Sequence, residues 1–441
     1  MESAEYTILG GGWAGLLCGY ELAIKFPDSK IRILEKSEDG DLGGLLHSEI
    51  INGFTFDTGG PHILFSSNQR ILDKIVNFLD GNVRKLERNA FIHFRGTYVP
   101  YPFENGMYVL DRESRAKIGT DIIAAMLHNA THPDWSPVTF RDWIYGFFGD
   151  SMGSEYLEPY NKKIWKTDPS DMDASWVFSP GRLPFPALRD IISSIAGIRS
   201  VGYKEQQYFY YPKSGGIQAL YDAVYVTARK LGIEFISNFQ VTNVKKEPNG
   251  WLINNKLHSK YLINTLPLTL LPKIFRMPNE IKNLINNLHY TKDIVVGVAL
   301  NKRSPAEHVL YVPSSNVRFH RLTWISNLAG TPNENYSNLI AETTVREGSV
   351  PNVEEITRDT LSGLRNLNII NSENDVLFTK AWINDYGYPI YTRVHVKTRQ
   401  QIFEYLNKAG IPSVGRWGSW HYWNTDKVYE AVIETVGRIK M

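Results

Sequence analysis

The 441-residue sequence predicts an α/β protein: a strand–helix–strand unit opens the chain, and helix-rich and strand-rich blocks interrupt the sheet it begins. Three observations lead there. An apolar run, Tyr6-Thr7-Ile8-Leu9, meets a glycine turn, a helical segment and a second apolar run that ends at Glu35. Residues from about 88 to 205 lose that alternation and read as a helix-rich insertion. Residues 290–345 are mostly strand-like.

In the opening unit, Gly10-Gly11-Gly12-Trp13-Ala14-Gly15 follows the first strand. Leu16 to Ile24 is helix-compatible, and Ile31-Arg32-Ile33-Leu34 closes on Glu35. This pattern holds a dinucleotide. Gly10 makes the tight turn, Gly12 admits a pyrophosphate against the backbone, and Gly15 lets helix and strand pack closely. The helix start at Trp13 and Ala14 offers N–H groups and a partial positive charge to phosphates. Glu35, with Lys36 beside it, stands where a carboxylate accepts from ribose hydroxyls. Without the strand before and the helix after, Glu35 would read as a solvated strand-end charge.

A polar turn then leads to Leu42-Gly43-Gly44-Leu45, a second close approach of backbone. His47 to Asp57 reads as a hairpin about Asn52-Gly53, entering the turn Thr58-Gly59-Gly60-Pro61-His62. Gln69 to Leu79 has helical spacing. Phe91 to Val99 reads as another hairpin, broken by Pro100-Tyr101-Pro102-Phe103. Ala116 to Leu127, Phe140 to Phe148 and Ser154 to Trp165 read as helices, the last stopped by Asp168-Pro169. A strand from Gln207 to Pro212 precedes a helix from Ile217 to Leu231. Short strands follow at Ile233 to Phe235, Val241 to Lys245, Trp251 to Ile253 and Tyr261 to Thr265. The strand-rich block holds Asp293 to Leu300, Val309 to Val312, Arg318 to Ser326 and Leu339 to Thr344. Helical spacing returns at Val353 to Leu364, Arg399 to Leu406 and Asp426 to Ile439.

Composition narrows the function. Lys and Arg number 48 against 46 Asp and Glu, which leaves no global pull toward nucleic acid or an anionic membrane. The single cysteine, Cys18, excludes a disulfide framework and reads as a buried thiol. No metal-ligating cluster, membrane span or secretory leader is recognisable, so a cytoplasmic protein is expected. Aromatic residues often sit beside Pro or Gly, a placement that suits a ring-binding cleft and also ordinary packing.

Taken together, Gly10 to Gly15, Glu35, Gly43-Gly44 and Phe56-Asp57-x-Gly59-Gly60-Pro61-His62 resemble the N-terminus of the FAD-containing amine oxidase and protoporphyrinogen oxidase clan. Several later segments are similar to its UDP-galactopyranose mutase branch. They are Tyr98 to Asn105, Pro159-Tyr160-Asn161-x-Lys163-Ile164-Trp165, Trp176 with Gly181 to Pro184, Tyr311-Val312-Pro313, Phe319 to Asn327 and Gly415 to Tyr422. The resemblance implies a Rossmann-type (GR2-like) FAD-binding domain with inserted helical and antiparallel β-sheet substrate domains. Residues 1–87, 206–268 and 386–441 would make up the FAD-binding domain, 88–205 the helical insertion and 269–385 the β-sheet substrate domain.

The same resemblance implies an activity. In the mutases, reduced flavin attacks the anomeric carbon of a nucleotide sugar, expels the diphosphate and lets the ring reclose in the other size. FAD, kept reduced by NAD(P)H or another reductant, is the implied cofactor; a UDP-sugar is the implied substrate, and cell-surface polysaccharide biosynthesis the implied setting. A homo-oligomer is compatible with it. Arg182 and Arg321 match the arginines directed at the diphosphate; outside the resemblance each reads as solvated or ion-paired. Tyr101, Tyr160, Asn161, Trp165, Tyr311, Tyr388 and Tyr422 are the implied pocket lining. His62 is implied to approach the flavin ring, with a hydrogen-bonded turn histidine as the competing reading. Gly59, Gly60, Leu45, Gly415, Arg416, Asn424 and Thr425 are the further implied flavin contacts, and Val241 is expected on the adenine side. An FAD-dependent oxidase of amines or porphyrinogens is the alternative. A flavin-free escort protein is the third reading, which the intact glycine pattern disfavours.

Overall fold

The computed structural model describes residues 2–178, 187–200 and 207–440. Two large sheets organise it. The first has six strands in the order Val244–Glu247, Gly250–Ile253, Leu257–Asn264, Glu2–Leu9, Ile31–Leu34, Glu234–Ile236. Glu2–Leu9 runs parallel to both neighbours, and Ile31–Leu34 is parallel to Glu234–Ile236. Ile31–Leu34 is buried throughout, as a parallel strand covered on both faces should be. The helix Trp13–Lys25 crosses between the first two strands and buries Leu16, Leu17, Cys18 and Leu22. The chain's last helix, Thr425–Arg438, packs on it. Lys25 Nζ satisfies three carbonyls at the end of that last helix, those of Val436, Gly437 and Ile439, at 2.8–2.9 Å. The two ends of the sequence therefore close one core.

The second sheet has seven strands in the order Val376–Pro389, Tyr290–Leu300, Ser337–Arg346, Arg321–Thr323, Val309–Tyr311, Ala90–Phe94, Thr97–Pro100. It is antiparallel except between Val309–Tyr311 and Ala90–Phe94, which are parallel. The hairpin at 90–100, which the sequence places in the helix-rich block, forms the far edge of this sheet. One face buries Val295, Ala299 and Ile340 in the core shared with the first sheet. The other buries Ile294, Val296, Val298 and Leu339 with Ile356 and Leu364 of the helix Val353–Asn366. The helices Arg112–Thr131, Phe140–Met152, Glu158–Trp165 and Leu188–Ile195 surround a third core that reaches Tyr388 and Tyr391.

The small hairpin Ser48–Ile51/Phe54–Asp57 turns at Asn52-Gly53, both with positive φ, as the Asn-Gly pair predicts. Asp57 at its end is fully buried. It accepts from Ser48 Oγ (2.7 Å), Tyr211 Oη (2.8 Å) and Ile217 N (3.3 Å), tying the hairpin to the strand Tyr208–Pro212 and the helix Gln218–Lys230. Burial pushes its carboxyl up to about 6.

Two expectations need correction, and one strand was not expected. Residues 241–243 are loop rather than strand, because Asn254 Oδ1 takes the N–H groups of Thr242 and Asn243 that a ladder would use. Of the run from Arg318 to Ser326, only Arg321–Thr323 is strand, and Trp324 turns to donate to the His308 carbonyl. The 14-residue strand Val376–Pro389 is unanticipated: Lys380, Asn384 and Asp385 interrupt its apolar alternation, and much of it is half-exposed. Among the described residues, no helix is long and apolar enough to cross a membrane.

Candidate active site

The glycine turn is fixed from four directions. Gly10 has φ +96°, and a Cβ there would stand 2.8 Å from Thr265 Oγ1. Gly11 N donates to Glu35 Oε2 (2.7 Å), and Gly11 O accepts from the buried Tyr221 Oη (2.5 Å). Thr265 Oγ1 lies 3.2 Å from Gly10 O. A Cβ on Gly15 would lie 1.9 Å from Gly10 O, so that glycine serves the protein's own packing. Gly12 differs: a Cβ there would meet nothing within 4 Å. It caps the helix Trp13–Lys25 without any side-chain hydrogen bond, leaving the helix's first N–H groups facing open space. A cradle of free backbone donors at a helix N-terminus fits a pyrophosphate.

That cradle opens into a cleft of about 800 Å³. Gly10, Gly12, Trp13, Ala14, Glu35 and Lys36 line one side of it. Gly43, Gly44 and Leu45 line the next part, where Gly44, at φ +59°, sits beside Gly12. His62, Arg416, Asn424 and Thr425 complete the far end. Glu35 keeps its place by accepting from Gly11 N and, at 3.0 Å, Ser37 N. Trp13 Nε1 donates to Thr425 O (3.1 Å), which joins the starts of two helices at the cleft. Gly415, with φ +97°, packs on Ala14, where a Cβ would be 2.5 Å from the Ala14 Cβ.

A smaller cavity, about 150 Å³, continues from the cleft at Leu45, His62, Arg416, Asn424 and Thr425, which line both. Gly59 and Gly60 line it, and a Cβ on Gly60 would stand 3.0 Å from Glu342 Oε2. Tyr101, Tyr311, Tyr388, Tyr422 and Arg321 line its walls. Arg321 and Glu342 are direct cross-strand partners, and the guanidinium grips the carboxylate with two bonds, at 2.7 and 2.5 Å. Tyr388 Oη sits 3.3 Å from Glu342 Oε2 and 3.5 Å from Arg321. Asp293 lies beside them, fully buried; burial, then Glu342, pushes its carboxyl well above the usual range, against the pull of Arg321 and Arg416. Tyr101 stacks obliquely on Tyr311 at 5.1 Å, and Arg88 lies 5.2 Å over Tyr101.

Other predicted residues stand behind the wall. Tyr160 meets Tyr311 edge-on at 5.9 Å. Trp165 meets Tyr388 and Tyr422 edge-on, and its Nε1 donates to Asn161 Oδ1 (3.0 Å). These three hold the tyrosines in place. Val241 lines neither cavity and packs instead on the core around Trp251, because its loop turns toward Asn254. Arg182 lies outside the described residues. Sequence reading missed Tyr221, Thr265, Arg88, Asp293 and Glu342. Asp293 carried a signal, a lone acid opening the apolar run Ile294 to Leu300; the others carried none.

A family model for an NAD(P)-binding Rossmann-like domain matches residues 8–79. Among solved structures, the chain is similar to a reduced UDP-galactopyranose mutase, with a TM-score of 0.87, 23% identity, and 99% of this chain and 93% of that one covered. It is also similar to a putative protoporphyrinogen oxidase from Exiguobacterium sp. 255-15 (TM-score 0.72, 17% identity, 99% of each chain). A putrescine oxidase double mutant gives a TM-score of 0.65 at 14% identity, over 99% of this chain and 98% of that one. These likenesses show the fold: a Rossmann-type α/β core that carries inserted helical and β-sheet units.

Proposed function

We propose that this protein is an FAD-dependent mutase that interconverts pyranose and furanose forms of a UDP-sugar. One observation carries the reading: an arginine, Arg321, faces a tyrosine-walled cavity that opens onto the dinucleotide cleft at His62. When bound and reduced, FAD supplies an electron-rich nucleophile to the anomeric carbon. The chain's own residues do the rest. The open backbone at Gly12 and the helix start at Trp13 hold the pyrophosphate. Glu342 uses two of the five donors of Arg321 and orients the remainder toward the diphosphate leaving group. Burial, then Glu342, raises the Asp293 carboxyl and so disfavours a second negative charge beside that diphosphate. Tyr101, Tyr311, Tyr388 and Tyr422 exclude water and place hydroxyls at the cavity wall. Arg182 is proposed from its sequence context as the second diphosphate contact, and His62 as the side chain nearest the flavin ring.

The test is direct. Dithionite-reduced protein given UDP-galactopyranose and a panel of other sugar nucleotides should yield furanose product by HPLC, and oxidised protein should not. No furanose from any of them would end this reading. The oxidase reading is favoured by a different observation: four tyrosines, Tyr101, Tyr311, Tyr388 and Tyr422, wall the cavity, and aromatic faces suit an ammonium group. An amine oxidase would bleach its flavin with substrate and release hydrogen peroxide in air.

A further inference from the structure

Away from both cavities, two adjoining depressions of about 670 and 600 Å³ lie where the helix Glu158–Trp165 meets the end of the strand Ser337–Arg346. Lys162, Lys166 and Arg318 line both; Arg346 lines one and Lys163 the other. Their partners differ in a telling way. Lys162 is committed to Glu158 (2.7 Å) and Asp168 (2.8 Å), and Arg318 to Glu355 (2.7 Å) and Asp359 (2.5 Å). Lys163 has no carboxylate: its ammonium donates to the carbonyls of Val312 (2.9 Å) and Ser314 (2.8 Å). Lys166, at the left-handed cap that ends the helix (φ 52°), donates its backbone N–H to Lys162 O, and its side-chain ammonium has neither a hydrogen bond nor an ion pair among the described residues. Arg346 reaches Thr167 Oγ1 at 3.4 Å and has no carboxylate partner among the described residues.

Half-buried cations that crowd each other without an acid are costly. Burial and then Lys166 push the Lys163 amine down to about 7, and burial and then Arg318 push Lys166 down as well. The fold keeps them there. Thr344 Oγ1 donates to the Lys163 and Ile164 carbonyls (3.0 and 2.8 Å), locking this end of the helix onto the strand. Hydroxyls of Thr167 and Ser349 line the same concavity. Three cations without acid partners thus line two adjoining open depressions, Lys166 in both, Arg346 with the Thr167 and Ser349 hydroxyls in one and Lys163 in the other, and together they offer an array of N–H and O–H donors. That array matches clustered phosphate oxygens better than carboxylates strung along a peptide.

We propose that the junction of these two depressions is an anion site for a small di- or triphosphate, held by Lys166, with Arg346 on one side and Lys163 on the other. It is separate from the Arg321 cavity, with the buried His320 and the helix Glu158–Trp165 between them, and it does not depend on the mutase reading. Isothermal titration of the 441-residue protein with inorganic tripolyphosphate tests it. Lys166→Gln/Arg346→Gln should weaken binding by about tenfold or more, the scale of losing charge-assisted hydrogen bonds. Arg321→Gln should leave it within about twofold, and Lys166→Arg, which keeps the charge, within about threefold. The proposal is overturned if the double variant binds as wild type does, or if Arg321→Gln or Lys166→Arg abolishes binding. It is equally overturned if an oligo-glutamate peptide binds more tightly than tripolyphosphate.

Discussion

The dinucleotide cleft and the tyrosine cavity adjoin at His62, yet they are built by opposite means. The cleft is a backbone device. Gly10, Gly12 and Gly44 expose main chain, and a helix start supplies the donors. The cavity is a side-chain device, in which Arg321, Glu342, Tyr388 and Asp293 come from four strands that the second sheet brings into register. A backbone site depends on what is left out at each position; a side-chain site depends on long-range pairing that puts a charge beside its partner. The two should therefore fail differently under mutation.

The largest effects should come from the glycine turn, and should separate fold from ligand. Gly15→Ala drives a Cβ to 1.9 Å from a backbone carbonyl, and should cost roughly 4 kcal/mol or more of stability. Gly12→Val has room in the protein itself, at an extended backbone angle that valine adopts readily. It should fold with a melting temperature close to that of ligand-free wild type, and elute from gel filtration without the flavin absorbance that the proposed function expects of wild type. If Gly12→Val kept its flavin, the backbone-cradle account of the cleft would be wrong.

In the cavity, Arg321→Ala should act on both fold and function. It leaves Glu342, whose side chain is 1% exposed, without its cation. Removing one partner of a buried pair costs about 3–4 kcal/mol, readable in urea unfolding. The proposed ring interconversion should also fall by about 10²–10³ in kcat/KM. Arg321→Ala/Glu342→Leu should recover most of the stability and none of the activity. Recovery of both would assign Arg321 to packing alone.

This contrast also explains what was legible in the sequence. Glycine spacing, a strand before and a helix after are local facts, so the cleft could be read from Gly10 to Glu35 and again at Gly43-Gly44. The hairpin at Asn52-Gly53 was legible for the same reason, since two residues alone set its turn. Tyr221 and Thr265 were not: each pins the turn from more than 200 residues away. Glu342 reads as one polar residue in an apolar strand until its register with Arg321 is known. Arg321 itself was identified only through resemblance, and its ion pair satisfies the plain reading as well. The strand expected from Val241 begins only at Val244, because a single side chain, Asn254, takes the amides of Thr242 and Asn243 that a strand would have used.

Asp57 belongs to neither region and ties the hairpin that precedes His62 into the core, so it tests the seam between them. Its carboxyl is raised to about 6 by burial. Between about pH 4 and pH 6 the folded protein therefore holds a proton that the unfolded chain has released. Its contribution to stability declines as pH rises through that window and is level above it, a change of about 3 kcal/mol at most. Asp57→Asn should remove that part of the slope in urea unfolding between pH 4.5 and 6.5. An unchanged slope would mean that the hydrogen bonds from Ser48, Tyr211 and Ile217 outweigh burial and keep Asp57 ionised.

The smallest effect should come from Tyr388→Phe, and it bears most directly on how the cavity works. The hydroxyl stands 3.3 Å from Glu342 Oε2 and 3.5 Å from Arg321, longer than the bonds within the ion pair itself. Its ring is held edge-on by Trp165 and Tyr422, so removing the oxygen leaves the packing in place. Loss of one long hydrogen bond to a charged group should cost about 1 kcal/mol of stability. If that hydroxyl only props the pair, kcat/KM falls by no more than the roughly fivefold this energy implies. If it meets the leaving diphosphate as charge develops, kcat should fall by more than the stability change, with KM nearly constant. A fall confined to KM would place Tyr388 in ground-state binding, and would leave Arg321 as the group in this cavity that acts on the departing charge.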